Sequence, residues 1–289
     1  MTHTKEKPTA VLLITCPDRQ GLVATVADFV YAHHANILHA DEHTDPDSNL
    51  FLMRLEWDLD GFDIAFAQFA QHFAPIADRF GMRWRVAQST HRPRVAILVS
   101  RLDHCLADLL YRQSIGELRC HIPLIISNHP DASRLAEFYN IPFYCTPIAP
   151  ENKREAEAQQ LKLLAEHDIQ LVVLARYMQI LSQDFIGRYP NQIINIHHSF
   201  LPAFIGAKPY HQSYDRGVKL VGATSHYVTE MLDEGPIIEQ DIIRISHRDT
   251  RDDLIQKGRD LERMVLSRAV RWHIENRILL YGSKTAIFS

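Results

Sequence analysis

The chain is poor in the residues and segments that mark several large classes of protein. Its 289 residues include four cysteines, too widely spaced for a zinc knuckle or a disulfide framework. Its apolar runs, such as residues 171–181, are short and interrupted, so none is suited to span a bilayer. Lys and Arg (31) do not outnumber Asp and Glu (35), which leaves no basic surplus for nucleic-acid phosphates. We therefore expect neither a membrane partner nor a nucleic-acid partner.

The first ten residues also lack a targeting pattern. "MTHTKEKPTA" contains neither the apolar stretch nor the small-residue cleavage site of a secretory signal, and a strand-like "VLLITC" follows directly. We expect a cytoplasmic protein.

Glycine is scarce where one large class of α/β enzymes needs it. In dinucleotide-binding and phosphate-binding domains, the first strand runs into a glycine-rich turn that lets the backbone approach phosphate. Here the strand-like residues 94–100 are followed by no glycine before Gly116. The sequence therefore predicts no phosphate cradle at this point and disfavours a nicotinamide-dependent enzyme.

The first ninety residues alternate between strand-like and helix-like patterns. Apolar residues recur every three or four positions in the helix-like segments, and Asp45, Pro46 and Asp47 form a turn between the middle strands. The segments are 10–16, 36–45, 50–58 and 82–89 as strands and 21–34 and 62–80 as helices. This β-α-β-β-α-β order predicts a ferredoxin-like sandwich.

The segment "TCPDRQGLVATVADFVYAHHANIL" within this region resembles the ACT domain, a small regulatory module. The resemblance implies a homodimer or homotetramer formed through this domain, and an amino-acid effector near Asp18 and Gly21. A helix N-terminus at this point would favour an anionic ligand group. Asp18 could instead simply cap the helix. Ala35 stands where the ACT pattern often has glycine, a departure that could narrow or remove the pocket.

A second domain is predicted after the polar, proline-bearing segment 89–94. We divide the chain into an ACT-like regulatory domain over residues 1–89 and a catalytic domain over residues 90–289. After the boundary, continuous apolar runs alternate with helical stretches, which predicts an open, mostly parallel, doubly wound α/β sheet. Ligands of such sheets bind beyond the carboxyl ends of the strands.

Polar side chains collect at one of these predicted strand ends. "QIINIHHSFLPAF" (192–204) reads as a strand that places Asn195 and His197, two residues apart, on one face. Further along, residues 222–240 contribute His226 and then Asp233 on a glycine-bounded loop. An amide, an imidazole and a carboxylate suit acyl chemistry, in which a carbonyl is polarised, an oxyanion stabilised and a proton moved.

The run N-x-H-x-S-x-L-P, followed by H-x-V and D-x-G-P, is similar to that of the formyltetrahydrofolate-using formyltransferase fold. Together with its ACT-like N-terminal domain, nearly the whole chain resembles the formyltetrahydrofolate deformylase family. The resemblance implies a catalytic trio of Asn195, His197 and Asp233. It also makes residues 174–185 a pterin-binding segment, and the substrate-binding residues are then Met178, Ile180, Leu181 and His226. His226 could orient Asp233 or could simply pack between strands.

The same resemblance implies a reaction. Water held by Asp233 would attack the formyl carbon of 10-formyltetrahydrofolate and release formate and tetrahydrofolate, with no covalent intermediate, cofactor or metal. The formate would supply purine synthesis and balance the one-carbon pool. Because the glycine-rich phosphate loop is missing, we expect water rather than a phosphorylated amine to be the acceptor.

Two other classes of function stay open at this point. The histidines His197, His198, His211 and His226 could join Asp233 as ligands of a hydrolytic metal ion. No compact ligand motif occurs, however, and as strand neighbours His197 and His198 would point to opposite faces. Alternatively, the chain could be an amino-acid sensor with a non-catalytic large domain, which the intact Asn-His-Asp trio disfavours.

Overall fold

The computed structural model describes residues 7–202 and 209–288, and the chain divides into two compact units. The first unit comprises Met1–His91 and Glu275–Ser289, and the second comprises Arg92–Ile274. Residues 203–208, which belong to the motif-bearing stretch 195–210, lie outside the described residues.

Within the described part of the first unit, residues 7–91 and 275–288, there are six strands and two α-helices. Its strands are β1 (Thr9–Pro17), β2 (Ile37–Asp45), β3 (Leu50–Asp58), β4 (Arg83–Gln88), β12 (Ile278–Tyr281) and β13 (Lys284–Ile287). Its helices are α1 (Leu22–Ala32) and α2 (Phe69–Phe80), the latter preceded by one 3-10 turn at Phe66–Gln68. The predicted β-α-β-β-α-β order over the first ninety residues is therefore confirmed.

The four strands β1 to β4 form an antiparallel sheet in the order β2-β3-β1-β4. Both helices lay their apolar faces on it: Val26 and Val30 of α1 and Phe73 of α2 are fully buried together with Trp57 of β3. A two-layer sandwich results, because an amphipathic helix and a one-sided sheet can each bury their apolar face only against the other.

The C-terminal hairpin β12–β13 also belongs to this first unit. Leu279 and Phe288 pack against Val11, Leu13 and Leu52, which lie on strands β1 and β3. The predicted division, with residues 90–289 in one domain, is wrong for this segment. Val11, Leu13 and Leu52 alternate with the residues that face the helices, and a sequence pattern does not say which distant segment covers them.

Over residues 92–202 and 209–274, the second unit contains seven strands and six helices. Its strands are β5 (Arg94–Val99), β6 (His121–Ser127), β7 (Phe143–Cys145), β8 (Leu171–Leu174), β9 (Ile193–His197), β10 (Leu220–Tyr227) and β11 (Ile237–Arg244). Its helices are α3 (His104–Ser114), α4 (Ser133–Phe138), α5 (Lys153–Glu166), α6 (Gln183–Arg188), α7 (Pro209–Arg216) and α8 (Arg251–Ile274).

These seven strands form one sheet in the order β11-β10-β9-β8-β5-β6-β7. Strands β5 to β9 are parallel, as the sequence predicted. Strand β10 pairs antiparallel with β9, and β11 pairs antiparallel with β10. Successive residues are buried along β5, β6 and β8, so both faces of the sheet are covered. The order reverses between β5 and β8, where open α/β sheets form ligand crevices.

Among residues 7–202 and 209–288, no helix combines the length and the apolar character needed to cross a membrane.

We predict that the C-terminal hairpin contributes to the stability of the first unit. Replacing the buried Phe288 with alanine should lower the free energy of unfolding of that unit by about 3–5 kcal/mol, because a large apolar side chain is lost from a packed cluster. Denaturant unfolding followed by the fluorescence of Trp57 and Trp84 measures the change. As a control, Tyr31→Ala, at a side chain 80% exposed on α1, should alter it by less than about 0.5 kcal/mol. Equal effects of the two variants would contradict the assignment.

Candidate functional site

The three residues of the predicted trio meet at the carboxyl end of β9. Asn195 and His197 share a face of this strand, since strand side chains alternate. Strand β10 runs antiparallel beside it and places His226 directly opposite Asn195. Asp233 follows on the loop between β10 and β11. Asn195 and Asp233 thus meet at one strand end although they are 38 positions apart in sequence. His197 and His226 lie between them in the chain.

Asp233 faces both imidazoles. Its Oδ1 lies 3.3 Å from His197 Nδ1 and 3.8 Å from His226 Nε2. The hydrogen bond from His197 holds the pKa of the Asp233 carboxyl below its ordinary value, although burial acts in the opposite direction. A carboxylate that is 12% exposed is therefore kept ionised beside its imidazole partner.

His226 is fixed by two contacts of its own. Its Nδ1 lies 2.9 Å from the carbonyl oxygen of Tyr227, which can only accept, so Nδ1 carries the proton. Burial lowers the pKa of His226, which leaves the neutral ring with an unprotonated Nε2. That Nε2 lies 3.3 Å from Asn195 Nδ2 and accepts a hydrogen bond from the amide. The sequence had made Asp233 the partner of His226. In the structure, the closer contact of His226 Nε2 is with Asn195, so His226 orients Asn195 more directly than it orients Asp233.

The loop that carries Asp233 is bound to the end of β10 by close backbone contact. A Cβ atom on Gly235 would lie 1.7 Å from the Tyr227 carbonyl oxygen, so only glycine fits there. Pro236 accepts a hydrogen bond from the Tyr227 N–H at 2.9 Å. Asp233 itself has φ 57°, the left-handed conformation that Asp tolerates better than most residues. The D-x-G-P spacing is thus a geometric requirement of this turn.

Of the two ring nitrogens of His197, one contacts a protein group and the other does not. Nδ1 faces Asp233, whereas Nε2 is buried without a hydrogen-bond partner. His198 lies beside it with ring centroids 5.4 Å apart, and both line the same cavity. The expectation that the two rings point to opposite faces is wrong, because β9 ends at His197 and the alternation ends with it.

The cavity at this strand end has a volume of about 290 Å³ and joins the trio to an apolar wall. Met178 and Ile180 line it with side chains 56% and 60% exposed, whereas Leu181 is only 7% exposed and packs into the core as well. The structure thus places all three predicted pterin-contacting residues on one cavity wall, with Leu181 at its base.

The segment that carries these residues is held by three polar contacts, from the end of β5 and from α5. Ser100, at the end of β5, accepts the Met178 N–H at 3.0 Å, and Glu157 of α5 accepts the Ser182 N–H at 3.1 Å. Gln160 of α5 donates to the Tyr177 hydroxyl at 3.0 Å. The exposed apolar side chains therefore project from a rigid backbone, as a preformed ligand wall requires.

Several residues that line this cavity were not among the predicted substrate-binding residues, and His198 had been considered only as a metal ligand. Met231 and Leu232, 61% and 57% exposed, form a second apolar wall on the Asp233 loop. Their position directly before the predicted catalytic aspartate was an available signal. Arg176 and His198 also line the cavity, each less than 10% exposed. Arg176 was visible in the sequence as a charge that interrupts the apolar run 171–181.

Among the described residues, one group with metal-ligand spacing occurs, and it is not the predicted set of histidines. It consists of His104, Cys105 and Glu262. Glu262 is already occupied by protein donors: His104 Nε2 lies 2.7 Å from Oε2, and the Tyr210 hydroxyl donates to Oε1 at 2.6 Å. The Arg176 guanidinium lies 3.5 Å from the same carboxylate. A cation beside a guanidinium is disfavoured, so the contacts explain this group as a hydrogen-bonded network.

In the first unit, Asp18 and Gly21 lie at the β1–α1 turn and both are exposed. The cap of α1 is Gly21, with φ 91°, and no side chain caps the helix, so the alternative of Asp18 as the N-cap is wrong. Arg19 turns instead toward the end of α2 and donates to the carbonyls of Arg79 and Phe80 at 3.5 and 3.3 Å.

Comparison with known proteins places this geometry in a family. Residues 93–270 match the family model described as formyl transferase. A formyltetrahydrofolate deformylase of Synechocystis sp. is 55% identical over 97% of this chain and 99% of its own. The crystal structure of a formyltetrahydrofolate deformylase from Pseudomonas syringae pv. tomato superposes with a TM-score of 0.97 at 48% identity, covering 99% of this chain and 96% of that one.

A glycinamide ribonucleotide transformylase from Symbiobacterium toebii shares the fold of the larger unit. It has a TM-score of 0.65 at 28% identity and covers 69% of this chain and 95% of its own. The deformylases, in contrast, match both units at higher identity. The chain belongs to the formyltetrahydrofolate deformylase family.

Proposed function

We propose that the protein hydrolyses 10-formyltetrahydrofolate to formate and tetrahydrofolate. The observation that carries the proposal is one cavity that combines an ionised carboxylate, an imidazole and an oriented amide with two exposed apolar walls. The polar end suits attack on a formyl carbonyl, and the apolar walls suit a flat heteroaromatic ring. Formate released in this way would supply purine synthesis and balance the one-carbon pool.

Asp233 is the group that handles the proton of water. The carboxylate holds the water molecule and accepts a proton as the oxygen bonds to the formyl carbon. The carbon–nitrogen bond then breaks, and the same proton passes to the leaving nitrogen. Because its pKa is held low, protonated Asp233 gives the proton up readily, which suits an arylamine nitrogen of weak basicity.

Asn195 and His197 stabilise the negative charge that forms on the carbonyl oxygen. Asn195 uses one N–H on His226 and has the other for this oxyanion. His197 keeps Nδ1 toward Asp233, so it can donate from Nε2 only when both ring nitrogens are protonated.

The folate ring binds between the two apolar walls. Met178, Ile180 and Leu181 contact one side of it, and Met231 and Leu232 contact the other. His226 acts as a positioning residue through Asn195. The chain's own side chains supply the base and the oxyanion donors, and we propose that neither a metal ion nor a cofactor takes part.

We predict that Asp233→Asn abolishes most of the formate release. The amide keeps the shape of the carboxylate but cannot accept the proton of water, so turnover should fall by about 10²–10⁴. Purified protein is incubated with 10-formyltetrahydrofolate in water, and formate is measured with time. The matched control is Asp260→Asn at an exposed position on α8, which should leave turnover unchanged.

Three results would count against this proposal. Wild-type protein that releases no formate would remove the function. A folded Asp233→Asn variant with near-full turnover would move the role of base to another group. Loss of activity on thorough chelation, restored by added zinc, would replace the proposed chemistry with metal-assisted hydrolysis.

The pH profile tests the Asp233–His197 pair. Asp233 acts as carboxylate, so kcat/KM should fall as the pH drops through its lowered pKa, and the acid limb should lie below that of an ordinary carboxyl group. In His197→Asn the main cause of the lowering is lost while burial remains, so the acid limb of the residual activity should move to higher pH. In Asn195→Ala, which also lowers turnover, the limb should stay in place. If the acid limb stays in place in His197→Asn, His197 does not set the pKa of Asp233, and the proposed pairing of the two groups is wrong.

We also propose that residues 1–89 act as an ACT-like regulatory domain that joins copies of the chain. Strand β2 is an edge strand with seven successive exposed residues, and open edges of this kind are pairing surfaces. Light scattering of the full chain at micromolar concentration should report a dimer or tetramer, and a monomer would contradict the proposal.

An amino-acid effector near Asp18 and Gly21 should raise the melting temperature of the full chain.

A further inference from the structure

Arg176 combines a strained backbone with a buried charge. It follows β8 with φ 61°, a left-handed conformation that is unfavourable for a residue other than glycine. The residue is only 9% exposed, and its Nε and Nη1 atoms have no hydrogen-bond partner. Strain and unsatisfied donors of this kind persist only where the surroundings enforce them, and they gather at functional sites.

A carboxylate network holds the Arg176 side chain in place. Glu262 of α8 is 1% exposed and lies 3.5 Å from Arg176 Nε. Burial opposes its ionisation, but hydrogen bonds from His104 and the Arg176 charge keep the pKa of Glu262 below its ordinary value. A buried ion pair with unpartnered donors contributes little net stability, so stability does not account for its presence.

This network lies directly behind the catalytic histidine. His198 lies between the two, with its ring 5.4 Å from that of His197 and 6.1 Å from that of Tyr210, which donates to Glu262. Burial and the Arg176 charge lower the pKa of His198 to about 4, so this ring is neutral and adds no charge to the site. Arg176 and His198 thus both line the cavity as buried side chains, next to the buried His197.

We propose that Arg176 is a specificity-determining residue whose side chain excludes amine acceptors from the catalytic centre, so that water is the acceptor. The inference rests on the proposed function and deepens it. A transformylase of the same fold shows that this architecture also accommodates formyl transfer. Formyl transfer to an amine requires room beside the formyl carbon for an acceptor larger than water, and hydrolysis does not.

The excluded reaction has a defined course. The lone pair of a primary amine would attack the formyl carbon, and the bond from that carbon to the folate nitrogen would break. One proton of the amine would pass through Asp233 to the leaving nitrogen, giving an N-formyl amine and tetrahydrofolate. The groups that act on water therefore suffice for transfer, and access alone separates the two outcomes.

Arg176→Gly tests the proposal, because glycine adopts φ 61° without strain while the side chain is removed. The variant is incubated with 10-formyltetrahydrofolate and glycinamide, and both formate and N-formylglycinamide are quantified by mass spectrometry. We expect formate with wild-type protein, and with the variant a rate of N-formylglycinamide formation at least about tenfold above wild type, rising with amine concentration.

Two variants serve as controls. Asp168→Gly also replaces a residue of positive φ, 49°, at an exposed position after α5, and should give only formate. Arg176→Lys keeps a long cation in the cavity and should form little N-formyl amine. If Arg176→Gly does not fold because Glu262 loses its counter-charge, the double variant Arg176→Gly/Glu262→Gln removes that charge and takes its place in the assay.

Each outcome decides the matter. A folded Arg176→Gly or double variant that still releases formate but forms no N-formylglycinamide would overturn the inference and leave the proposed function intact. Wild-type protein that forms N-formylglycinamide as fast as the variant would overturn it too. Wild-type protein that releases no formate would overturn the proposed function, and the inference with it.

Discussion

The backbone carbonyl of Tyr227 is the contact on which the geometry of the candidate site depends. It accepts the Nδ1 proton of His226, which fixes the tautomer of that ring and, through Nε2, the orientation of Asn195. The same oxygen approaches Gly235 so closely that no side chain fits there, and this approach sets the turn that carries Asp233. One peptide group at the end of β10 thus positions two of the three members of the trio.

The larger sheet explains why this carbonyl lies where it does. Five parallel strands bring their carboxyl ends to one edge, the usual ligand side of such sheets. The antiparallel strand β10 then runs back past β9, so residues near its own end, such as His226, meet Asn195 on β9. A wholly parallel sheet would have placed His226 at a different level, and the pairing of amide and imidazole would be lost.

Much of this arrangement could be predicted from local patterns, and the remainder could not, for identifiable reasons. Alternation and spacing predicted the succession of strands and helices along the first ninety residues and put Asn195 and His197 on one face. The role of His226 depends on which residue of β9 it faces, a register that no local pattern carries. Arg176 and the hairpin that holds Phe288 depend on contacts with segments far away in sequence, with Glu262 and Val11. Long-range pairing is the information that periodicity lacks.

The hairpin β12–β13 has a consequence for how the chain matures during synthesis. Residues 9–88 leave the ribosome first and can form their sheet and helices, but Val11, Leu13 and Leu52 remain uncovered until Leu279 and Phe288 have been translated. Domains ordinarily fold in the order in which they emerge. Here the first unit stays incomplete while the whole second unit is made, so a chain arrested within that unit presents an apolar surface that chaperones and proteases recognise.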